Sequence, residues 1–157
     1  MIWLLMSLCA VAFAACGSDD DDDKSGGDGQ GTGKTVTLAQ AVGTWQLKHS
    51  SGYEVNVSTG ERQDEYDADD NSDRLVIESD GTITVYHRSS SSGTERVVFS
   101  GKLTVSNGYI VLGKIENITL TSLTITGNIL KVETIEEFHE SDGDYKHYST
   151  QTYQKVS

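Results

Sequence analysis

Short strand-like segments separated by two-residue turn signals run through most of this chain. Aspartate or asparagine followed by glycine strongly favours a tight β-hairpin turn, because both central residues must adopt positive φ. Such pairs occur at Asp80–Gly81, Asn107–Gly108 and Asp142–Gly143, and the reversed pair Gly127–Asn128 lies between the last two. Each pair is flanked by alternating or β-branched runs. The pattern predicts consecutive antiparallel strands.

The runs between these turns predict seven or eight strands. Arg74–Glu78 and Thr82–His87 form the first clear hairpin. Further strands are predicted at Arg96–Val105, Tyr109–Leu112, Ile118–Ile125, Ile129–Phe138 and Tyr145–Val156. The alternation slips between Leu120 and Leu123, which predicts a β-bulge in that strand.

The chain carries only one short helical pattern, so a parallel β-α-β architecture is excluded. That pattern is Leu38–Val42, with Thr37 as its predicted N-cap. Antiparallel strands in sequential order must hide their edges in a barrel or a sandwich, and the simple hairpin order favours the barrel. The predicted fold is all-β, an up-and-down antiparallel barrel of about eight strands whose one end the short helix could plug.

The N-terminus predicts export and a lipid anchor. An apolar run of 14 residues, from Ile2 to Ala15, is shorter than the roughly 20 residues that span a bilayer. It is followed directly by Cys16, so residues 1–15 are predicted to be a signal peptide and Cys16 to carry acyl chains such as palmitate. Since Cys9 leaves with the signal, the mature domain is expected to contain no disulfide and no cysteine metal site.

Residues 16–36 are predicted to be a disordered acidic linker rich in glycine, serine and aspartate, ahead of a barrel domain at 37–157. The formal net charge of the chain is −12. Acidic residues also outnumber basic ones within the barrel domain itself. A domain with this excess is repelled by phosphate backbones and anionic lipid surfaces, so nucleic acid is not expected as a partner.

Several motifs resemble those of the lipocalin-like lipoproteins of Gram-negative gut bacteria. Phe13–Cys16 is similar to a lipobox, and over residues 38–157 the resemblance rests on Gly43-Thr44-Trp45 after a helical turn, the hairpin Leu75–Val85 and the closing Thr152–Val156. The resemblance implies an outer-membrane lipoprotein, anchored through acylated Cys16. It also implies that Gly43 and Trp45 close the barrel base, with Lys155 beside the Trp45 ring. The Thr-Asp-Tyr motif of true lipocalins is absent.

The aspartate run Asp19–Asp23 resembles the acidic export signal that follows the acylated cysteine of surface lipoproteins, which implies display on the cell surface. The alternative is a solvated acidic tail, since Asp20–Lys24 also matches an enterokinase cleavage sequence.

An eight-stranded barrel holds either one small ligand or its own side chains. Alternation predicts that eight apolar residues face inward, with Val98 as the apolar exception on the outer face. They would contact a small hydrophobic or amphipathic ligand, and they are Leu75, Ile77, Ile83, Val85, Val97, Phe99, Leu103 and Val105. The alternative is a structural or interaction lipoprotein with a filled barrel, in which the long loops Asn56–Asn71 and Ser89–Gly93 contact a protein partner.

Metal and catalytic motifs are weak. One acidic series has the spacing of a calcium loop but carries Ser72 where glycine is needed, so no metal is predicted; its members are Asp67, Asp69, Asn71, Asp73 and Glu78. His139 and His147 flank a hairpin turn and could approach one another as a zinc pair, or stay exposed.

Glu136 and Glu137 are expected on opposite faces of a strand, where they cannot act together in catalysis. No nucleophile or phosphate-loop motif occurs. The sequence therefore predicts a protein that is not an enzyme and needs no cofactor.

Overall fold

The computed structural model describes residues 36–156, most of which lie in antiparallel strands. One short helix, α1 (Leu38–Ala41), precedes the first strand. The strands are β1 (Gly43–Asn56), β2 (Arg62–Asp69), β3 (Asp73–Ile77), β4 (Thr82–Arg88), β5 (Glu95–Lys102), β6 (Thr104–Ser106), β7 (Tyr109–Val111), β8 (Gly113–Ile115), β9 (Ile118–Thr126), β10 (Ile129–Glu140) and β11 (Gly143–Lys155).

The helix α1 is fixed by a reciprocal N-terminal cap. The backbone N–H of Gln40 donates to Thr37 Oγ1 at 3.3 Å, and the backbone N–H of Thr37 donates to Gln40 Oε1 at 3.0 Å. The pair satisfies two amide groups that a helix leaves without internal partners. Val42 has an extended backbone and ends the helix. The helix predicted after Thr37 is confirmed and is one residue shorter than expected.

Eight strands form one curled antiparallel sheet, a half-barrel with the order β5-β4-β3-β1-β11-β10-β9-β8. The first strand pairs with the last, so Leu47 lies opposite Tyr153. The two end strands approach through side chains, because a Cβ on Gly101 of β5 would lie 2.6 Å from Ile115 Cγ2 of β8. The predicted all-β, up-and-down antiparallel fold is confirmed.

The long strand β1 pairs with β3 along its first part and with β2 along its second part. Its first residues, Gly43–Gln46, pair with β3, whereas His49–Val55 pair with β2. A register shift between Leu47 and His49 separates the two halves. The expectation of a loop over Asn56–Asn71 is wrong for its central part, since Arg62–Asp69 form β2. All side chains of β2 are exposed, so the strand lacks an alternating apolar pattern and is held through its backbone.

The bulge predicted in β9 is present. Leu120 pairs with Thr134 and Ser122 with Glu133, which leaves Thr121 as the extra residue. The Thr121 hydroxyl donates to the Glu133 carbonyl at 3.0 Å. The phase slip in the sequence therefore marked a real irregularity of the sheet.

The predicted strand Arg96–Val105 is interrupted, because β5 ends at Lys102 and β6 begins at Thr104. Leu103 between them is buried, and its backbone N–H donates to the Gly81 carbonyl at 2.9 Å. This contact turns the chain into the separate β6–β7 hairpin.

The hydrophobic core lies on the concave side of the sheet. It contains Val36, Ala41, Trp45, Leu47, Leu75, Ile77, Leu103, Ile110, Leu120, Leu123, Leu130 and Tyr153. Val36, placed in the predicted linker, is buried, and its carbonyl accepts a hydrogen bond from Ile110 N at 2.9 Å. Val36 therefore belongs to the domain.

The predicted signal peptide 1–15, Cys16, the aspartates of Asp19–Asp23 and linker residues 17–35 lie outside the described residues. Within residues 36–156, no helix has the length and apolar character needed to cross a membrane.

Candidate functional site

The concave side of the sheet encloses a cavity of about 340 Å³. A cavity of this size falls in the range of small-molecule sites. Six of the eight apolar residues that were predicted to face inward line it, namely Leu75, Ile77, Ile83, Val85, Phe99 and Leu103. The interior is therefore not completely filled by side chains, and the contact of these six with a ligand stays a prediction.

The prediction that Val97 and Val105 face the interior is wrong. The pairing of β4 with β5 shifts register between Val85 and Tyr86, and this leaves Val98 as an extra residue in β5. As a result Val97 is 55% exposed and points away from the cavity. Val98, expected on the outer face, lines the edge of the cavity and is 47% exposed. Val105 lies in the β6–β7 hairpin, outside the curled sheet, and is also exposed.

The cavity changes from apolar to polar along its length. Inward residues of β10 run from Leu130 and Val132 to Thr134 and Glu136. On the antiparallel neighbour β11, Glu136 lies opposite His147. The polar ends of the two strands therefore coincide, and the cavity is amphipathic.

Side chains at the polar end are hydrogen bonded to one another. The amide of Asn117 donates to Glu136 Oε1, and the hydroxyls of Thr134 and Ser149 are 2.8 Å apart. Thr134 and Glu136 lie on β10, Ser149 lies on β11, and Asn117 lies in the turn between β8 and β9. The strand pattern did not assign these polar positions to a site. The sequence did contain a signal for this polar end. Alternate residues of a strand share a face, so Thr134 and Glu136 could be placed on the same side of β10 as Val132.

Two polar residues that line the cavity, His147 and Asp73, each contact a side chain outside its wall. Tyr66 of β2 places its hydroxyl oxygen 3.2 Å from His147 Nε2. On β3, Asp73 Oδ1 lies 2.7 Å from His87 Nδ1. Tyr66 was missed because β2 was predicted as a loop.

Tyr153 marks the transition between the apolar and polar parts of the cavity. The ring is buried, and its hydroxyl donates to Gln151 Oε1 at 2.9 Å. Burial raises the pKa of the Tyr153 hydroxyl, and the negative charges of Asp73 and Asp70 raise it further. Tyr153 therefore stays neutral and acts as a hydrogen-bond donor.

Trp45 lies at the apolar end of β1, next to α1. Its side chain is fully buried, and the indole N–H donates to the Ala41 carbonyl at 2.8 Å. The ammonium of Lys155 lies 5.1 Å from the ring centroid. Gly43 begins the same strand with a φ of 140°. The neighbours implied for Trp45 by the resemblance are thus present.

The residues with calcium-loop spacing lie on different elements and contact different partners. Asp67 and Asp69 lie on β2, 3.3 and 3.1 Å from the two ring nitrogens of His49. Asn71 accepts a hydrogen bond from Lys48, and Asp73 faces the cavity.

Glu78 follows β3 and is exposed. Within the described part of the chain, no group of three or more histidine, cysteine, aspartate or glutamate residues could hold a metal ion.

The suggested zinc pair does not form. His139 lies opposite Asp144, with 2.7 Å between Nδ1 and Oδ1, whereas His147 lies opposite Glu136. The register of the hairpin therefore separates the two histidines.

The expectation for the two neighbouring glutamates is met. Glu136 faces the cavity, while Glu137 is exposed on the other face and forms an ion pair with Lys146 at 3.0 Å. Lys146 lowers the pKa of the Glu137 carboxyl.

A second groove, of about 460 Å³, is formed by residues of β2, β1, β11, β10 and β9, and it shares Thr134 and Ser149 with the cavity. There the rings of Tyr53 and Tyr148 stack with centroids 5.0 Å apart, and Arg62 Cζ lies 3.7 Å from the Tyr53 centroid. Arg62 also pairs with Glu65 at 2.7 Å. This groove was not predictable from the strand pattern, because it depends on β2, which has no apolar face.

A comparison with known protein families identifies the family of this chain. Residues 42–132, more than half of the chain, match the family described as Lipocalin-like domain. The chain belongs to this lipocalin-like family. No curated protein and no solved structure matches it. The matched segment runs from β1 to the inward Val132 of β10 and includes most of the apolar wall of the cavity.

Proposed function

We propose that this lipocalin-like protein is a membrane-anchored lipoprotein that binds a small amphipathic molecule in its cavity. The observation that carries the binding role is the cavity of about 340 Å³, apolar at the Leu75 and Ile77 end and polar at the Glu136 and His147 end. Burial of a ligand's apolar body would contribute about 25 cal/mol per Å² of surface removed from water. The polar end would fix the orientation of the head group.

The anchor is proposed from the sequence. Cys16 follows a lipobox-like segment, and acyl chains on it would hold the domain at the outer membrane, on the cell surface if Asp19–Asp23 acts as an export signal. The alternative of an interaction lipoprotein requires a filled barrel and the loops Asn56–Asn71 and Ser89–Gly93, of which the second does lie outside the strands, between β4 and β5. The open cavity and the strand β2 both favour the binding role, which we propose to be non-catalytic.

The binding role is tested by placing a bulky side chain inside or outside the sheet at two positions of β10. In the full chain carrying Cys16→Ser, where no acyl chain competes, Val132→Trp fills the cavity, whereas Ile135→Trp adds the same ring to the outer face. Calorimetric titration with 1-octanol should show binding to the parent and to Ile135→Trp, and strongly reduced binding to Val132→Trp.

Thermal melts of both variants must come first, because overpacking costs about 1 to 3 kcal/mol. A folded Val132→Trp variant that binds 1-octanol like its parent would contradict the cavity as the site. Native mass spectrometry of protein purified without detergent gives an independent check, since a retained small molecule adds a discrete mass.

A further inference from the structure

The wall of the cavity carries acidic side chains but no lysine or arginine among its described residues. Asp73 and Glu136 contribute carboxylates, and His147 contributes an imidazole. An anionic head group beside Glu136 would meet its negative charge in partly desolvated surroundings, where Coulomb repulsion is stronger than in bulk water. The wall therefore disfavours ligands that end in a carboxylate.

Glu136 forms no ion pair with another described residue. Its hydrogen-bond donor is the neutral amide of Asn117. The ion pairs formed within residues 36–156 do not include Glu136, whereas its neighbour Glu137 is paired with Lys146. Glu136 is half-buried, so an ionic partner there is less screened by water than one on the outer surface.

The other groups at this end are engaged by protein partners. His87 Nδ1 contacts Asp73, and His147 Nε2 contacts the Tyr66 hydroxyl. Each contact uses one ring nitrogen. Because Asp73 is engaged by His87, the Glu136 carboxylate is the strongest remaining acceptor that faces the cavity.

Hydroxyl oxygens lie beside this carboxylate. Thr134 is two residues from Glu136 on β10 and shares its face, and Ser149 lies opposite Thr134. An ammonium group has three N–H donors and no acceptor. A carboxylate flanked by hydroxyl oxygens offers acceptors for such a group.

We infer that the cavity selects small ligands with an apolar body and a positively charged amine, and that Glu136 receives the amine. The inference rests on the proposed binding function and assigns the chemical class of its ligand. The apolar body lies against the Leu75 and Leu123 side of the wall, and the ammonium lies at the end formed by Glu136 and Thr134.

The test compares three probes of equal chain length, octylammonium, 1-octanol and octanoate, by calorimetric titration at neutral pH. The protein is again the full chain carrying Cys16→Ser. Octylammonium should bind about tenfold or more tightly than 1-octanol, as a hydrogen bond to a charged group allows, and octanoate should bind most weakly. Glu136→Gln should lower the affinity for octylammonium about tenfold and change that for 1-octanol less than twofold.

Glu137→Gln is the matched control, because it removes the same charge from the adjacent residue on the opposite face. It should leave the affinity for octylammonium unchanged. Equal losses in both variants would show attraction by the net charge of the protein and overturn the role of Glu136. Equal binding of all three probes would overturn the amine preference but leave the cavity as a site. Absence of binding by every probe would overturn both proposals.

Discussion

Lys155 and Trp45 are cross-strand partners, and the Lys155 ammonium lies 5.1 Å from the centre of the Trp45 ring. The pair connects the last strand to the first, and the indole N–H extends the connection to α1 through the Ala41 carbonyl. The helix α1, the first long strand β1 and the last strand β11 therefore meet at one buried ring. Because β1 and β11 are central in the strand order, this contact supports both branches of the curled sheet.

Trp45→Ala should lower the free energy of unfolding by about 3 to 5 kcal/mol, since it removes a fully buried ring from the core. This is a large part of the roughly 5 to 15 kcal/mol that holds a typical domain folded. Lys155→Met, which keeps the aliphatic stem but removes the cation, should cost only about 0.5 to 1 kcal/mol. Urea unfolding measures both, and similar losses in the two variants would contradict the dominant role of the ring.

Gly52→Ala should destabilise the domain by about 1 to 3 kcal/mol, because the added methyl group has no room. A Cβ at this position would lie 2.5 Å from the Tyr148 carbonyl oxygen and 2.7 Å from the Tyr66 hydroxyl oxygen. Ser50→Ala is the control, at a neighbouring position on the same strand where no atom is added. The Tyr148 contact is to backbone, so the double variant Gly52→Ala/Tyr66→Ala should remain destabilised. Full recovery in that variant would contradict the backbone contact.

Local sequence patterns predicted much of this fold. They could not predict the features that depend on contacts between strands distant in sequence. The bulge at Thr121 lies in an interrupted alternation, and the cap at Thr37 is a property of four neighbouring residues. By contrast, β2 has no apolar face, and its strand conformation depends on pairing with β1. Alternation placed Val97 inside because it carries no information about the extra residue Val98.

The same distinction applies to the candidate site. The apolar wall followed from alternation in β3 and β4, where Leu75 and Val85 are paired and both inward. The polar end did not, because Glu136 and His147 become neighbours only through the register of β10 with β11. Whether a curled sheet leaves an open volume depends on its curvature and on the distance between β5 and β8, which no local pattern encodes.

Glu95 should make stability depend on acid pH. It accepts hydrogen bonds from Arg74 at 2.7 Å and from Arg88 at 3.0 Å, and these guanidiniums lower the pKa of Glu95 from 4.5 to about 2. A lowered folded-state pKa means that the stabilising contribution is complete above about pH 4.5 and is lost as the pH falls towards 2.

Glu95→Gln should therefore be less stable than the parent at pH 7, and the difference should shrink as the pH falls through that window. Thermal melts at several pH values measure it. Glu61→Gln, at an exposed carboxylate, is the control and should show a much smaller difference at pH 7. A difference between Glu95→Gln and parent that persists undiminished at pH 2 would contradict the ion-pair explanation.

Calcium should give no specific stabilisation. Asp67 and Asp69 contact His49, Asn71 contacts Lys48, and Asp73 contacts His87. A specific site would add about 2.7 kcal/mol when the ion is present at about 100 times its Kd. Thermal melts in millimolar calcium, in magnesium and in chelator should agree closely. A shift specific to calcium and lost in Asp69→Ala would make this region a metal site after all.

Cys16→Ser should abolish acylation, because the thiol of Cys16 is the expected attachment point and Cys9 lies within the predicted signal peptide. Cells that express the parent should incorporate an alkyne fatty acid into the protein and retain it in the membrane fraction, since two or more acyl chains give stable anchoring. The Cys16→Ser protein should be unlabelled. Cys9→Ser is the matched control and should be labelled and fractionate like the parent. Labelling that survives Cys16→Ser but not Cys9→Ser would move the anchor to Cys9, and labelling of neither the parent nor any variant would exclude lipidation as the means of anchoring.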